Sequence, residues 1–498
     1  MATYYVRKSG SDSNGGTDPD TDAWLTIDKA ANTVAAADNV YVGAGVYREL
    51  VTLDTSGSSG SQITWIADVD GANTGDAGLV IVSAYADEES TASRAACFAT
   101  QDRIFNTIRG FTLVGGTDAC IDAGTTASAV NTGEGVIIED CAIFPGHTDN
   151  EHGIWYDFGT SAEPTAAGLI VRRCVFSGSG VYLVASSSGP AADVDQKAVI
   201  ENSLFVGNGE ASDQWAAISM DLIGGAFFRG GVDITNCTIY GYAIGINADQ
   251  ELSTADVSNI RNCTFLYTLL AIELEGTNDG ALTSDYNYFG NCAAPLTGVT
   301  AGANDQQNTF DPGLFGGLGD YTLYRFLGWS PFLPFEPIRL QDDAYKHAFI
   351  GNANTGDAPA DDLYGSPRPM YGTVDDIGAV ESRARPEKET TTVRTGSNAS
   401  RFEGAGWHDF LIPVSAASTT ISIYGRFDSN YTGSKPKLDV FNIPGVADQT
   451  DIMTGSANAW EEITATFTPD AAGVCRLRVS SQDTSATGES FFDDLTVT

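Results

Sequence analysis

Along the middle of the chain, short runs of alternating apolar and polar residues are broken at intervals by a single small or amide residue. The repeated phrase is apolar-x-apolar-x-(Asn/Asp/Gly)-(Cys or a substitute)-x-apolar. Copies lie at 108–113, 138–143, 171–176, 200–205, 234–239 and 260–265, with a weaker one around 285–288. Aligned on the residue after the break, the column reads Phe111, Cys141, Cys174, Ser203, Cys237, Cys263 and Tyr286, in steps of roughly 30, 33, 29, 34, 26 and 23 residues. Stacked coils repeat at about 20–50 residues. The residues at the break are Gly110, Asp140, Arg173, Asn202, Asn236, Asn262 and Asp285. All but Arg173 belong to the types that enter the left-handed backbone region at least cost. The flanking alternation predicts strands with one buried face. Each unit is therefore a strand, a one-residue corner and a second strand. Nothing between the units reads as a helical crossover, which argues against a βαβ fold. The predicted class is all-β, a single-stranded parallel β-helix. A β-sandwich, the other arrangement of short alternating strands, would not need the same corner residue in every unit.

A further strand follows in each coil, at 153–157, 180–184, 217–221, 243–247 and 271–275. Its apolar positions, Ile154/Tyr156, Val181/Leu183, Ile218/Met220, Ile244/Ile246 and Ile272/Leu274, should face inward. Alternation then predicts one outward column of Trp155, Tyr182, Ser219, Gly245 and Glu273, and another of Asp157, Val184, Asp221, Asn247 and Glu275. Flat aromatic surfaces beside carboxylates suit a polysaccharide, whose rings present apolar faces and hydroxyl edges. Asp157 and Asp221 should lie two coils apart, as should Asp221 and Glu275, so about 9–10 Å separates each pair at the backbone. Glu273 and Glu275 are about 7 Å apart along one strand. Side chains at such spacings can reach the roughly 6.5–9.5 Å of an inverting glycosidase pair. Asp157, Asp221, Glu273 and Glu275 are the candidate catalytic groups, and Trp155, Tyr182 and Asn247 the candidate sugar contacts. The plainer reading is that acidic side chains simply face water. A uronate lyase would need Arg, Lys or Ca²⁺ against the substrate carboxylate, and neither column contains a cation. Hydrolysis therefore ranks above elimination.

Composition narrows the partners. The 498 residues have room for two or three domains, and 55 glycines suit a turn-rich β protein. A net charge of −39 argues against nucleic acid and anionic membrane surfaces as partners. No apolar run is long enough for membrane insertion, and no basic-then-apolar leader precedes Tyr4. The expectation is a product made in a cytoplasm. Of the eight cysteines, Cys141, Cys174, Cys237 and Cys263 share one position in the repeat. They predict a buried ladder of small hydrophobes, although bridges between Cys141 and Cys174 or Cys237 and Cys263 are geometrically conceivable. Neither CxxC nor Cys/His ligand spacing occurs, which argues against zinc. The group His147, Asp149, Glu151 and His152 reads as a turn into the next strand rather than a metal site. The aromatic run from Trp329 to Phe335 reads as a packed cover.

The opening Tyr4-Tyr5-Val6…Gly10-Ser11-Asp12…Trp24-Leu25-Thr26-Ile27…Asp38-Asn39-Val40-Tyr41-Val42-Gly43-Ala44-Gly45-Val46-Tyr47 resembles the start of right-handed β-helix proteins of the pectate-lyase-like superfamily. The stretch Asp362…Gly365…Arg368-Pro369…Asp376-Ile377-Gly378-Ala379-Val380-Glu381 resembles the segment that closes many of them. The resemblance implies a right-handed β-helix over 1–381, including an N-terminal cap. That fold hosts lyases, hydrolases, epimerases and inert viral spikes, so it implies no single chemistry. A charged linker follows over 382–392. Beyond it, Trp460-Glu461-Glu462-Ile463…Phe467…Arg476-Leu477-Arg478-Val479…Phe491-Phe492-Asp493-Asp494 resembles jelly-roll carbohydrate-binding modules, implying a β-sandwich over 393–498. In such modules exposed aromatics stack on sugars, for which Trp407 and Tyr431, in turn-like surroundings, are the candidates. Trp460, Phe467 and Phe492 are expected in the core. A structural Ca²⁺ is common there, and the resemblance places Asp494 beside it; no other cofactor is required.

Three functional classes remain. The first is a bacteriophage virion spike that binds, and in one form hydrolyses, host cell-surface glycan; resemblance to such spikes implies a homotrimer and contacts with other virion proteins. The second is a secreted polysaccharide-degrading enzyme with a binding module. The third is a non-catalytic structural or decorative fibre.

Overall fold

The computed structural model describes residues 1–86, 94–101, 103–123, 135–145, 152–157, 168–185, 197–207, 216–222, 231–248, 257–275 and 282–308. It also describes 315–316, 339–340, 353–354, 356–363, 368, 378, 387–389, 392, 394–395, 399–403, 405–441, 443–470, 473–483 and 488–498. The expected turn at His147, Asp149 and Glu151, the expected aromatic cover from Trp329 to Phe335, and Gly365, Pro369 and Asp376 of the closing stretch lie outside these residues.

Up to Asn308 the chain winds through three parallel sheets. A first sheet of ten strands begins at Thr3–Val6 and ends at Leu282–Asp285. A second, also of ten, runs from Gly45–Tyr47 to Gln306–Asn308. A third, of nine, runs from Val51–Thr52 to Ala294–Thr297. In each sheet, hydrogen-bonded neighbours come from successive coils, which is the topology of a parallel β-helix. A short helix, Ile27–Ala31, covers the start, with the Thr26 side chain accepting from Lys29 N–H as its N-cap.

The corner between the first two sheets is left-handed at every copy of the repeat. The φ values are +79° at Gly110, +57° at Asp140, +51° at Arg173, +48° at Asn202, +52° at Asn236, +55° at Asn262 and +58° at Tyr286. The last copy corrects the sequence alignment by one residue. Asp285 pairs with Arg261 as the end of its strand, Tyr286 turns the corner, and Asn287 takes the column of the cysteines. Taken alone, Asp is the better left-handed residue. Strand register and the Asn287 side-chain oxygen, which accepts from Cys263 N–H at 2.8 Å, decide otherwise.

Inside, stacked side chains continue from coil to coil. Phe176 and Phe205 lie face to face at 4.6 Å, and Phe265 and Phe289 at 5.3 Å. These rings explain small residues at the start of the third-sheet strands. A Cβ on Gly153, Gly180 or Gly245 would lie 2.8, 2.9 or 3.0 Å from Phe176, Phe205 or Phe265. All eight cysteines are buried free thiols, so the expected ladder is present and unbridged.

The first sheet carries a charged column on its outside, in which Arg109, Glu139, Arg172 and Glu201 follow one another in register. Glu139 is buried. Burial opposes its charge, but hydrogen bonds from Arg172 and Arg109 hold its carboxyl below the usual range.

Part of the chain beyond the last coil returns along the left-handed corner. Asn202 donates to Asp361 O at 2.6 Å, Asn236 to Gly378 O at 3.2 Å, and Asn262 to Asn354 O at 3.2 Å. In turn Gly378 N–H donates to Asn262 O at 2.6 Å. The corner amides therefore do two jobs: they permit the turn, and they bind the closing segment.

From Glu387 onward the strands are antiparallel, in one five-stranded and one four-stranded sheet. Phe402, Ile421, Leu438, Leu477, Val479 and Phe492 belong to their shared core. Phe467 and Phe492 are buried as expected. Trp460 is not; it is half-buried in the segment before Glu461–Phe467, outside the alternation that directs side chains inward.

Candidate functional site

The third sheet positions the candidate site. Its registers join Trp155 to Tyr182, Tyr182 to Ser219, Ser219 to Asn247 and Asn247 to Glu273. Asp122 precedes Trp155, and Thr297 follows Glu273. All six residues from Asp122 to Glu273 are half-buried, whereas residues on either side of them along the strands, such as Ile121, Ile154, Tyr156 and Ile272, are buried in the core. With rungs about 4.8 Å apart, Trp155 and Glu273 stand about 19 Å from each other.

This arrangement corrects one predicted column. Ser219 is beside Asn247, not Gly245, and the inward pair of that strand is Ile246 and Ala248 rather than Ile244 and Ile246. A slip of two residues preserves the alternation, so hydrophobic pattern cannot detect it. Pairing with the neighbouring strands decides the frame. The correction brings Trp155, Tyr182, Asn247 and Glu273, drawn from two predicted columns, into one.

Asp157 and Asp221 belong to strands His152–Asp157 and Ala216–Leu222, and both pair with Val184 from opposite sides, two rungs apart. The positions of their carboxylates lie outside the described residues. Glu275 follows the end of strand Leu270–Leu274; its N–H donates to Ala248 O and its side chain is exposed.

Three features of this face were not predicted. Asp122 extends the column at its start. His152 stacks on Tyr182, with ring centres 4.3 Å apart and planes within 8°, and its Nδ1 lies 3.3 Å from Ser179 Oγ. Its position at the head of a strand, before Gly153, was the available signal. Finally, Trp155 Nε1 and Asn247 Oδ1 are both shielded from solvent and, among the described residues, have no hydrogen-bond partner. Buried polar atoms are rarely left so, and these two share one column.

In the C-terminal sandwich, Tyr431 is half-buried against the core and Phe427. Its hydroxyl donates to Ser434 O at 3.0 Å and accepts from Gln482 N–H at 2.6 Å, while burial pushes its pKa up to about 12. Trp407 lies in strand Ala405–Val414, paired with Ser480, rather than in a turn; its side chain is outside the described residues. Asp494 is ion-paired with Arg394 and accepts from the Thr395 hydroxyl, and those contacts hold its carboxyl low. Among the described residues, no group of three or more His, Cys, Asp or Glu side chains is arranged to hold a metal, and no helix is long and apolar enough to cross a membrane.

No known family profile matches the sequence, and no curated protein matches it. Solved structures do resemble the fold. Pectate lyase Pel9A is 15% identical, with a TM-score of 0.46, over 77% of this chain and 97% of its own. A family 16 carbohydrate-binding module is 16% identical, with a TM-score of 0.20, over 23% of this chain and 86% of its own. The enzymatically active domain of tailspike protein 4 from bacteriophage CBA120 is 10% identical, with a TM-score of 0.20, over 95% of this chain and 65% of its own. These likenesses carry no residue of one protein onto another.

Proposed function

We propose that this chain binds a polysaccharide along the outer face of the third sheet, as a surface spike of a bacteriophage that recognises host glycan. The observation that carries the binding is the column Asp122, Trp155, Tyr182, Ser219, Asn247 and Glu273. It combines aromatic faces with hydrogen-bonding groups at a constant spacing, and a polymer of repeating sugars needs both. The likeness of the fold to proteins named as polysaccharide-acting and as a tailspike is in keeping with this reading. Hydrolysis is the finer proposal, with Glu273 and the Asp157 and Asp221 positions supplying acid and base. The assembly proposed is a homotrimer.

The test is binding and reducing-end release on a panel of bacterial and algal polysaccharides, with wild type, Trp155→Ala and Glu273→Gln compared. Binding that Trp155→Ala loses supports the face. Release that Glu273→Gln abolishes supports a hydrolase, whereas binding without release makes this a recognition protein. Neither binding nor release overturns the reading in favour of a structural fibre. Light scattering on the intact chain checks the trimer.

A further inference from the structure

Between the second and third sheets the chain turns again, and strand register aligns this corner from coil to coil. Ser177 pairs with Val206, Val206 with Tyr240, Tyr240 with Leu266 and Leu266 with Gly290. The residues that follow them are Gly178, Gly207, Gly241, Tyr267 and Asn291. The corner is left-handed at Gly178, Gly241, Tyr267 and Asn291, with φ of +109°, +73°, +51° and +55°. Glycine and asparagine take that conformation cheaply, whereas a bulky aromatic residue is strained in it. Tyr267 is also the only exposed aromatic side chain among the described residues, at 38%. Its ring is strained where glycine serves other coils, and it faces solvent instead of filling the core, so packing does not account for it. Resting on the reading of the third-sheet face as a glycan site, we propose that Tyr267 is a second sugar-stacking site, extending that face around its corner.

The surroundings suit a sugar ring. Tyr240 meets Tyr267 edge to face, with ring centres 5.8 Å apart and planes at 71°, and so braces it in one orientation. Leu269, two residues on, is 50% exposed and widens the apolar surface. Asn291 is exposed on the adjacent rung and offers an amide to hydroxyl edges. From Leu269 the chain enters strand Leu270–Leu274, on which Glu273 stands about 13 Å further along. The corner is therefore continuous with the column, and a glycan crossing the coil of Glu273 along its strand reaches Tyr267. A protein partner fits the patch less well. Stable protein interfaces use about 20–30 residues a side, whereas the exposed apolar side chains here are Tyr267 and Leu269, with Tyr240 half-buried. One braced aromatic face is enough for a sugar.

The experiment uses the full chain, with affinity electrophoresis in gels containing a glucan, a galactan, a mannan, a xylan or an alginate. Wild type, Tyr267→Gly, Tyr267→Phe and Trp155→Ala are compared, and each is melted in parallel. At least one polymer is expected to retard wild type. Tyr267→Gly should bind that polymer about tenfold more weakly, the loss of one aromatic contact. It should melt no earlier than wild type, because glycine relieves the left-handed strain. Tyr267→Phe should bind as wild type does. Wild-type binding by Tyr267→Gly, alongside loss in Trp155→Ala, overturns the corner site and leaves the glycan reading intact. Weaker binding by Tyr267→Gly together with clearly earlier melting makes the ring a packing element and overturns the proposal. Loss in Tyr267→Gly but not in Trp155→Ala upholds the corner and overturns the assignment to the third-sheet column. No retardation of wild type in any gel overturns the glycan reading, and this inference with it.

Discussion

The guanidinium of Arg368 donates to the side-chain oxygen of Asn202 at 3.1 Å, across 166 positions of sequence. The same nitrogen donates to Gly378 O at 2.8 Å, while Nε donates to Asp361 O at 3.1 Å. Arg368 therefore ties one left-handed corner to two points of the segment that lies along it. It belongs to a stretch that resembles the closing segment of other β-helices, and its contacts give that resemblance a physical reason.

Replacing Arg368 with Ala should destabilise the β-helix by roughly 1.5–3 kcal/mol, the usual worth of a hydrogen bond to a charged group. Lys should not restore the loss, because a point charge cannot reproduce the fork of donors. Denaturant unfolding of the three proteins checks both statements. Wild-type stability in the Lys variant would rule out the fork as the cause.

Glu139 predicts an acid-sensitive contribution. Its folded pKa is below the ordinary 4.5, so its stabilisation is complete above about pH 4.5 and fades as pH falls through the lower, folded value. Glu139→Gln should cost about 3 kcal/mol at neutral pH. That gap between variant and wild type should narrow as the medium is acidified below about pH 4.5. Unfolding curves at several pH values measure it, and a gap unchanged down to the most acidic point would refute the assignment.

The cysteine ladder predicts silent thiols. Burial pushes the Cys174 and Cys237 thiols up, with Cys141 and Cys263 reinforcing the effect. A thiol reagent should find none of the eight cysteines reactive in the native protein and all eight after unfolding without reductant. Fewer than eight in the unfolded protein would reveal a bridge.

Two substitutions one rung apart should have opposite consequences. A Cβ on Gly180 would lie 1.8 Å from Ala217 O and 2.9 Å from Phe205. Gly180→Ala should therefore impair folding itself, seen as insoluble or early-melting protein. Trp155→Ala alters the outer face and should leave folding near wild type while weakening glycan binding about tenfold or more. A melting profile for Gly180→Ala matching wild type would contradict the packing described.

Much of this was readable because the corner makes a severe local demand. Only a few residue types turn left-handed cheaply, so Asn202, Asn236 and Asn262 mark the coils without help from tertiary structure. Where a corner is filled by Tyr286, the mark disappears and the alignment slips by one. At 243–247 the alternating Ile and small residues suit two frames equally, and only the neighbouring strand distinguishes them. The stacking of His152 on Tyr182 arises between coils, so no local pattern announces it. Trp460 misled for a related reason: its neighbours alternate, but it precedes the strand that imposes the alternation.

The in-register column on the third sheet also fixes how such a face can change. Each coil contributes one outward residue at a constant step, so the column works as a ruler whose graduations are coils. Duplicating or deleting a whole coil would lengthen or shorten the footprint by one graduation and leave the seam on either side matched. A change in glycan repeat length can then be followed by counting coils, while a substitution within one coil rewrites a single mark.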